Sequence, residues 1–163
     1  ACRDNIKKAL KLIMTSTEDD LIEFIAKFRE EFKQMPFDQI AFPRTVRGLS
    51  EYYDAATIFR KSTPIHVRGA LIYNNMIKQN KLQNKYQMIG EGEKIKFCYL
   101  LGSSPLPTDV IAAPGKLPKE LGMDKYIDYD TQFEKSFLEP LRTIMTAIGW
   151  KEGNDQQTLD SFF

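Results

Sequence analysis

An α+β fold, mainly helical with a small β-containing part, is predicted for this 163-residue chain by two observations. Apolar residues recur at helical spacing toward both ends, and the stretch KIKFCYLL from Lys94 alternates polar and apolar positions as a strand does. The length suits one domain with a sizeable core, and 42% of the residues are hydrophobic.

The elements follow in order. Ile6, Leu10 and Ile13 are spaced for one helix face. After the break at Thr15-Ser16-Thr17, the residues Leu21, Phe24, Ile25, Phe28 and Phe32 predict a second helix. Thr17 with Asp20 three residues later resembles a capping box, and Pro36 stops the helix. From Gln39 to Thr63 no clean period exists, so a loop with short pieces of structure is expected. Thr63 followed by Pro64 at the first helical position opens a third helix, with Val67, Ala70, Leu71 and Ile77 toward the core.

The polar QNKLQNKY stretch reads as a loop, and KIKFCYLL and VIAA read as two short strands joined by the turn-rich GSSPLPTD. In the first strand Lys94, Lys96 and Cys98 alternate with Ile95, Phe97 and Tyr99. Tyr129, Phe133, Phe137, Leu141, Ile144 and Ile148 recur every three to four residues, predicting a long amphipathic helix kinked by Pro140 and ended by Gly149.

Several function classes are disfavoured by composition. No apolar run approaches the roughly 18 residues of a membrane span, so no membrane role is expected. Two cysteines, Cys2 and Cys98, are too few for a disulfide framework, and the lone His66 excludes paired-histidine metal motifs. A reducing compartment is expected. The beginning, ACRDNIKKAL, has neither an initiator methionine nor the apolar core of a signal peptide, and reads as the interior of something longer.

Charge is segregated along the chain. Between Ala41 and Cys98 ten cations face four acids, a net charge of +6, although the whole chain carries only +1. The middle is therefore a candidate polyanion surface. Within it AFPRTVRGL offers Arg44, Thr45, Arg47 and Gly48, two cations with a hydroxyl and a glycine that lets backbone approach a phosphate. A solvated basic loop is the plainer alternative. His66 and Arg68 stand at a helix start, where free backbone N–H groups also favour anions. GEGEK, from Gly90, lacks phosphate-loop spacing and carries two acids that would repel phosphate, so it reads as a turn before a strand.

Two carboxylates in IDYDT, Asp128 and Asp130, have the separation of a magnesium-binding pair on a strand turn. They also precede the last apolar helix, where acids are favoured by the helix dipole, and this structural reading is preferred. The ending QQTLDSFF places Gln156, Leu159, Phe162 and Phe163 with spacing that puts the three apolar side chains on one side of a single helical turn. Either a partner's pocket or the chain's own core must bury them.

TPIHVRGALIYN, then EGEKIKFCYLL, then YIDYDTQFEKSFLEPLRTIMTAIGW resemble, in order and spacing, the C-terminal region of family B DNA polymerases, most of all those of T-even-like bacteriophages. The resemblance covers essentially the whole chain. It implies a thumb domain at residues 1–153, with a helical body from both chain ends and a small β-containing tip, and a flexible clamp-binding tail at 154–163. Primer-template duplex would be held through its phosphates by Arg44, Thr45, Arg47, Gly48, Lys61, His66 and Arg68, with Lys94 and Lys96 as weaker contacts. Gln156, Leu159, Phe162 and Phe163 would bind a sliding clamp.

The further implied partners are the palm, fingers and exonuclease domains, in the same or a separate chain, and the implied location is the cytoplasm of a phage-infected bacterium. No catalytic residue, metal ligand or cofactor site is expected in this chain, and magnesium would belong to the complete polymerase. IDYDT matches the family's thumb helix. The rival readings are a separate clamp-binding accessory protein, a split-polymerase subunit, and a free-standing nuclease using Asp128 and Asp130.

Overall fold

A computed structural model of the chain describes residues 2–147, which divide into two compact units. The first, residues 2–36 and 129–147, is helical. Its helices α1 (Cys2–Thr15) and α2 (Glu18–Phe32) are the two expected from apolar spacing. The Thr17 hydroxyl accepts the Asp20 N–H at 3.4 Å while the Asp20 carboxylate accepts the Thr17 N–H at 3.3 Å, completing the capping box. α2 ends at Phe32, ahead of Pro36.

The core of this unit is aromatic. Phe28 on α2 lies 4.8 Å from Phe137 and 5.6 Å from Phe133, centroid to centroid, and Phe32 lies 5.2 Å from Phe133. All four rings are buried, and each such pair adds about 0.5–1.5 kcal/mol beyond area burial. On α1 the fully buried position is Ala9, while Ile6, Leu10 and Ile13 are half-buried.

The second unit, Phe37–Asp128, contains every strand among the described residues. In chain order it holds the short helix α3 (Phe37–Ile40), strand β1 (Phe42–Thr45), the one-turn helix α4 (Leu49–Tyr52), the paired strands β2 (Tyr53–Asp54) and β3 (Ile58–Phe59), and helix α5 (Ile65–Gln79). Strands β4 (Lys94–Tyr99) and β5 (Val110–Ala113) follow, then two 3₁₀ turns, Lys119–Leu121 and Asp124–Tyr126. β1, β4 and β5 form an antiparallel sheet in that order. Pro43 is accommodated because β1 is an edge strand, where one row of backbone N–H groups needs no ladder partner.

Helix α5 packs on β5 through Gly69. A Cβ there would lie 3.0 Å from the Ala112 nitrogen, so glycine permits the close approach of helix and strand. Val67, Ala70, Leu71 and Ile77 are buried as expected. Pro64 is the residue before the helix, with extended ψ of 146°, and is not its first helical residue. The Thr63 hydroxyl donates to the Arg60 carbonyl at 2.6 Å and so does not cap the helix. Cys98, expected on the polar side of β4, is also buried, as are Ile111 and Ala113 along the same face of the sheet. Both faces of this sheet therefore carry core.

The last helical run returns to the first unit. It consists of α6 (Tyr129–Phe133), a π-helical segment (Glu134–Leu138) and α7 (Glu139–Ala147). Pro140 has no N–H to continue the α ladder and its ring crowds the carbonyl four residues before, so the irregularity falls in the turn preceding it. Gly149, the helix stop expected from sequence, lies outside the described residues.

Candidate nucleic-acid interface

The cationic residues singled out in the sequence all belong to the second unit, but they do not form one uniform surface. β1 and the turn after it expose Arg44, Thr45 and Arg47. Register pairs Arg44 with Ile95 and Thr45 with Lys94, so the first pair lies on one face of the sheet and the second on the other.

Arg44 stands over an aromatic cluster. Its guanidinium lies 6.0 Å from the Phe42 ring and 5.9 Å from the Phe97 ring, and it donates to the Pro43 carbonyl at 2.8 Å. The planar group is thus steadied from below while remaining exposed, which preorganises a fork suited to phosphate. His66 approaches the same cluster, 6.5 Å from Phe97. Burial and the neighbouring Arg44 charge lower its pKa, against a backbone hydrogen bond with Thr45 that raises it. At neutral pH the lowered pKa favours the uncharged imidazole, which can offer an anion a hydrogen bond but not a charge.

Arg68 is half-buried and partly committed. Its Nε donates to the Thr63 carbonyl at 2.8 Å, and its guanidinium lies 5.9 Å from the Phe59 ring. It edges a cleft of about 380 Å³ whose lining also includes Thr108 and the acid Asp109. Lys61 is exposed in the turn before α5, and Lys94 is exposed at the start of β4. Lys96 is half-buried and its ammonium donates to the Asp38 carbonyl of α3 at 2.7 Å, so one of its three N–H groups is committed within the fold.

Gly48 serves a different need from the one its sequence context suggests. It adopts φ +83°, a left-handed conformation that glycine tolerates, and its N–H donates to the Glu91 carboxylate at 2.7 Å. The Leu49 N–H donates to the other oxygen of Glu91 at 2.9 Å. The GEGEK turn is thereby joined to the Arg47 turn, and two further backbone bonds, Val46 N–H to the Glu93 carbonyl at 2.9 Å and Gly92 N–H to the Val46 carbonyl at 2.8 Å, close the same clasp.

Asp130 occupies the first turn of α6 and is exposed, as a helix-start acid should be. The Asp128 N–H donates to the Tyr99 carbonyl at 2.9 Å. Among the described residues no group of three or more His, Cys, Asp or Glu side chains is arranged to hold a metal ion. Nor is any described helix long and apolar enough to cross a membrane. Gln156, Leu159, Phe162 and Phe163 lie outside the described residues.

Comparison with known proteins supplies the context for these cations. DNA-directed DNA polymerase of Enterobacteria phage T4 is 27% identical over 167 positions that cover all of this chain and 18% of the phage protein. DNA-directed DNA polymerase of Escherichia phage RB69 is 28% identical over 151 positions, covering 90% of this chain and 16% of the relative. The chain is similar to phage DNA-directed DNA polymerases. It spans less than a fifth of their length, and no family model matches it.

Two features of the interface were not signalled locally by the sequence. Glu91 reads as a repeller of phosphate until its partners, 43 and 42 residues earlier in the chain, are brought to it. Tyr53, 52% exposed at the start of the β2–β3 hairpin, lies in the Gln39–Thr63 stretch, where a loop with short pieces of structure is expected without any one residue being marked out.

Proposed function

We propose that this chain is the thumb portion of a replicative family B DNA polymerase, holding primer-template duplex through its phosphates while other parts of the enzyme perform nucleotidyl transfer. The observation that carries the reading is the exposed cationic arm of β1 and its following turn, in a chain similar to DNA polymerases along its length. Arg44 and Arg47 supply the main phosphate contacts, with Thr45, Lys61 and Lys94 beside them, Arg68 at the margin, and His66 as a neutral hydrogen-bonding neighbour. Contacts of this kind position a duplex without reading its sequence. Lys96 and the Gly48 amide act inside the fold.

Catalytic carboxylates and magnesium ions belong, in this reading, to the palm of the complete enzyme, which works in the cytoplasm of a phage-infected cell beside the fingers and exonuclease. Residues 154–163 form a tether in which Leu159, Phe162 and Phe163 enter a pocket of a sliding clamp and Gln156 hydrogen-bonds at its edge. The spacing of these residues supports that assignment. The test is duplex binding by the 163-residue chain, followed by fluorescence anisotropy on two labelled primer-template duplexes of unrelated sequence. Comparable affinity for both, weakened to a similar extent in Arg44→Ala/Arg47→Ala, is the expected result. Strong preference for one sequence, or full binding by the folded double variant, would refute the grip.

A further inference from the structure

The cationic arm is not held by its own backbone alone. Beyond Thr45 the chain leaves the sheet, and between Val46 and Leu49 its path is set by the turn at Gly90–Glu93. Each oxygen of the Glu91 carboxylate takes one of two successive N–H groups, those of Gly48 and Leu49, immediately after Arg47. The turn is itself anchored from α5. The Asn74 side chain donates to the Ile89 carbonyl at 2.9 Å and accepts the Ile89 N–H at 2.7 Å, two residues before Glu91. Hydrogen bonds thus tie α5 to the Gly90–Glu93 turn, and that turn to the two amides that follow the exposed Arg47.

We propose that Glu91 is a positioning residue for the phosphate-binding arm, holding Arg47 in its working orientation by fixing the Gly48 and Leu49 amides. The proposal rests on the grip described under Proposed function and deepens it. It makes a prediction opposite in sign to simple electrostatics. Glu91 is an acid within a cationic segment, and the Arg47 charge attracts it without an ion pair of contact distance among the described residues. Charge alone says that removing Glu91 should strengthen binding to a polyanion. Positioning says that removing it should weaken binding, because an unheld Arg47 must be ordered anew for every contact.

A carboxylate suits this task. Two charge-assisted hydrogen bonds to adjacent amides define both distance and direction, and are stronger than neutral ones. They also occupy the Gly48 and Leu49 amides, so neither is offered to a phosphate and the arginine side chains carry more of the recognition. Each lost phosphate contact should lower affinity about fivefold at 0.15 M salt and flatten the salt slope by about 0.9, the values expected from counterion release.

The experiment measures duplex affinity and its salt slope for the 163-residue chain and for Glu91→Ala, Glu91→Gln, Arg47→Ala, Glu91→Ala/Arg47→Ala and Glu51→Gln. Glu51 is an exposed acid on α4 with no such bond and serves as the charge control. The expected pattern is about fivefold weaker binding for Glu91→Ala despite its gain of net positive charge, with a smaller loss for Glu91→Gln, which keeps an acceptor oxygen. The double variant should bind no worse than Arg47→Ala, the non-additivity of two residues acting through one contact. Glu51→Gln should bind equally well or slightly better.

Amide hydrogen exchange at Gly48 and Leu49 gives a readout independent of DNA, and should accelerate in Glu91→Ala while melting temperature changes little. If both Glu91 variants bind more tightly, as Glu51→Gln does, or if the losses of Glu91→Ala and Arg47→Ala add in full, positioning is overturned while the grip stands. If the unsubstituted chain shows no salt-dependent duplex binding, the grip fails and the proposal fails with it.

Discussion

Gly69→Ala tests the packing that sets where α5 presents His66 and Arg68. A methyl group at this position would meet the Ala112 nitrogen at 3.0 Å, the Ala112 Cβ at 3.1 Å and the Ile111 carbonyl carbon at 3.2 Å. Two effects oppose each other. Alanine is favoured over glycine in a helix interior by about 1 kcal/mol, whereas overpacking a well-filled core costs about 1–3 kcal/mol. Two of the three obstructing atoms are backbone, and Val110 to Ala113 are fully buried, so the strand has little room to retreat.

The second effect should win, leaving a net destabilisation of up to about 2 kcal/mol. At about 2–4 °C per kcal/mol for a chain of this size, the melting temperature should fall by up to about 8 °C, read by circular dichroism or calorimetry. Adding Ala112→Gly removes the Cβ contact but neither backbone contact, so a double-mutant cycle should recover only part of the loss. A rise of several degrees in Gly69→Ala would mean that helix propensity dominates and that α5 is not held against β5 as described.

Phe28→Ala should be far more damaging, since it empties the centre of a cluster formed with Phe24, Phe32, Phe133 and Phe137; a loss of about 3–5 kcal/mol is expected in denaturant unfolding. Acid stability should depend on Glu120, whose carboxylate is held down to about 2 by hydrogen bonds from Lys85 and Tyr86. Because the folded pKa lies below the unfolded one, this contribution is present above about pH 4.5 and fades as pH falls toward 2; Glu120→Gln should give a shallower decline of melting temperature across that window, and an unchanged decline would show the cluster to be idle.

Sequence periodicity revealed the elements whose side chains repeat against one core. Phe24, Phe28 and Phe32 on α2, and Phe133 and Phe137 on the last helical run, were legible because a helix face imposes spacing on large residues. The Thr17 cap was legible because its partner is three residues away. β1 escaped notice because Phe42-Pro43-Arg44-Thr45 is short, exposed over most of its length and contains proline, and its defining partner β4 comes some fifty residues later. Cys98 misled because alternation assumes one solvated face, whereas this small sheet carries core on both. The π-helical turn was foreshadowed by Pro140, although its placement before the proline depends on which carbonyl loses its donor.

For the interface, composition located the charge but not its employment. Arg44 and Arg47 are exposed, whereas Lys96 is tied to Asp38, and no local pattern distinguishes a free ammonium from one engaged by a carbonyl 58 residues away. The clasp by Glu91 is hidden from sequence for the same reason. Local reading could assign it a charge, and only the fold gives it partners.

The most direct measurement of the grip is the slope of log affinity against log salt concentration for a primer-template duplex, compared among the unsubstituted chain, Arg44→Ala, Arg47→Ala and Lys96→Ala. The slope should be steeply negative in the unsubstituted chain, shallower by about 0.9 in each arginine variant, and least changed in Lys96→Ala, whose half-buried ammonium is tethered to the Asp38 carbonyl. A slope near zero in the unsubstituted chain, or identical slopes in the folded arginine variants, would contradict the account.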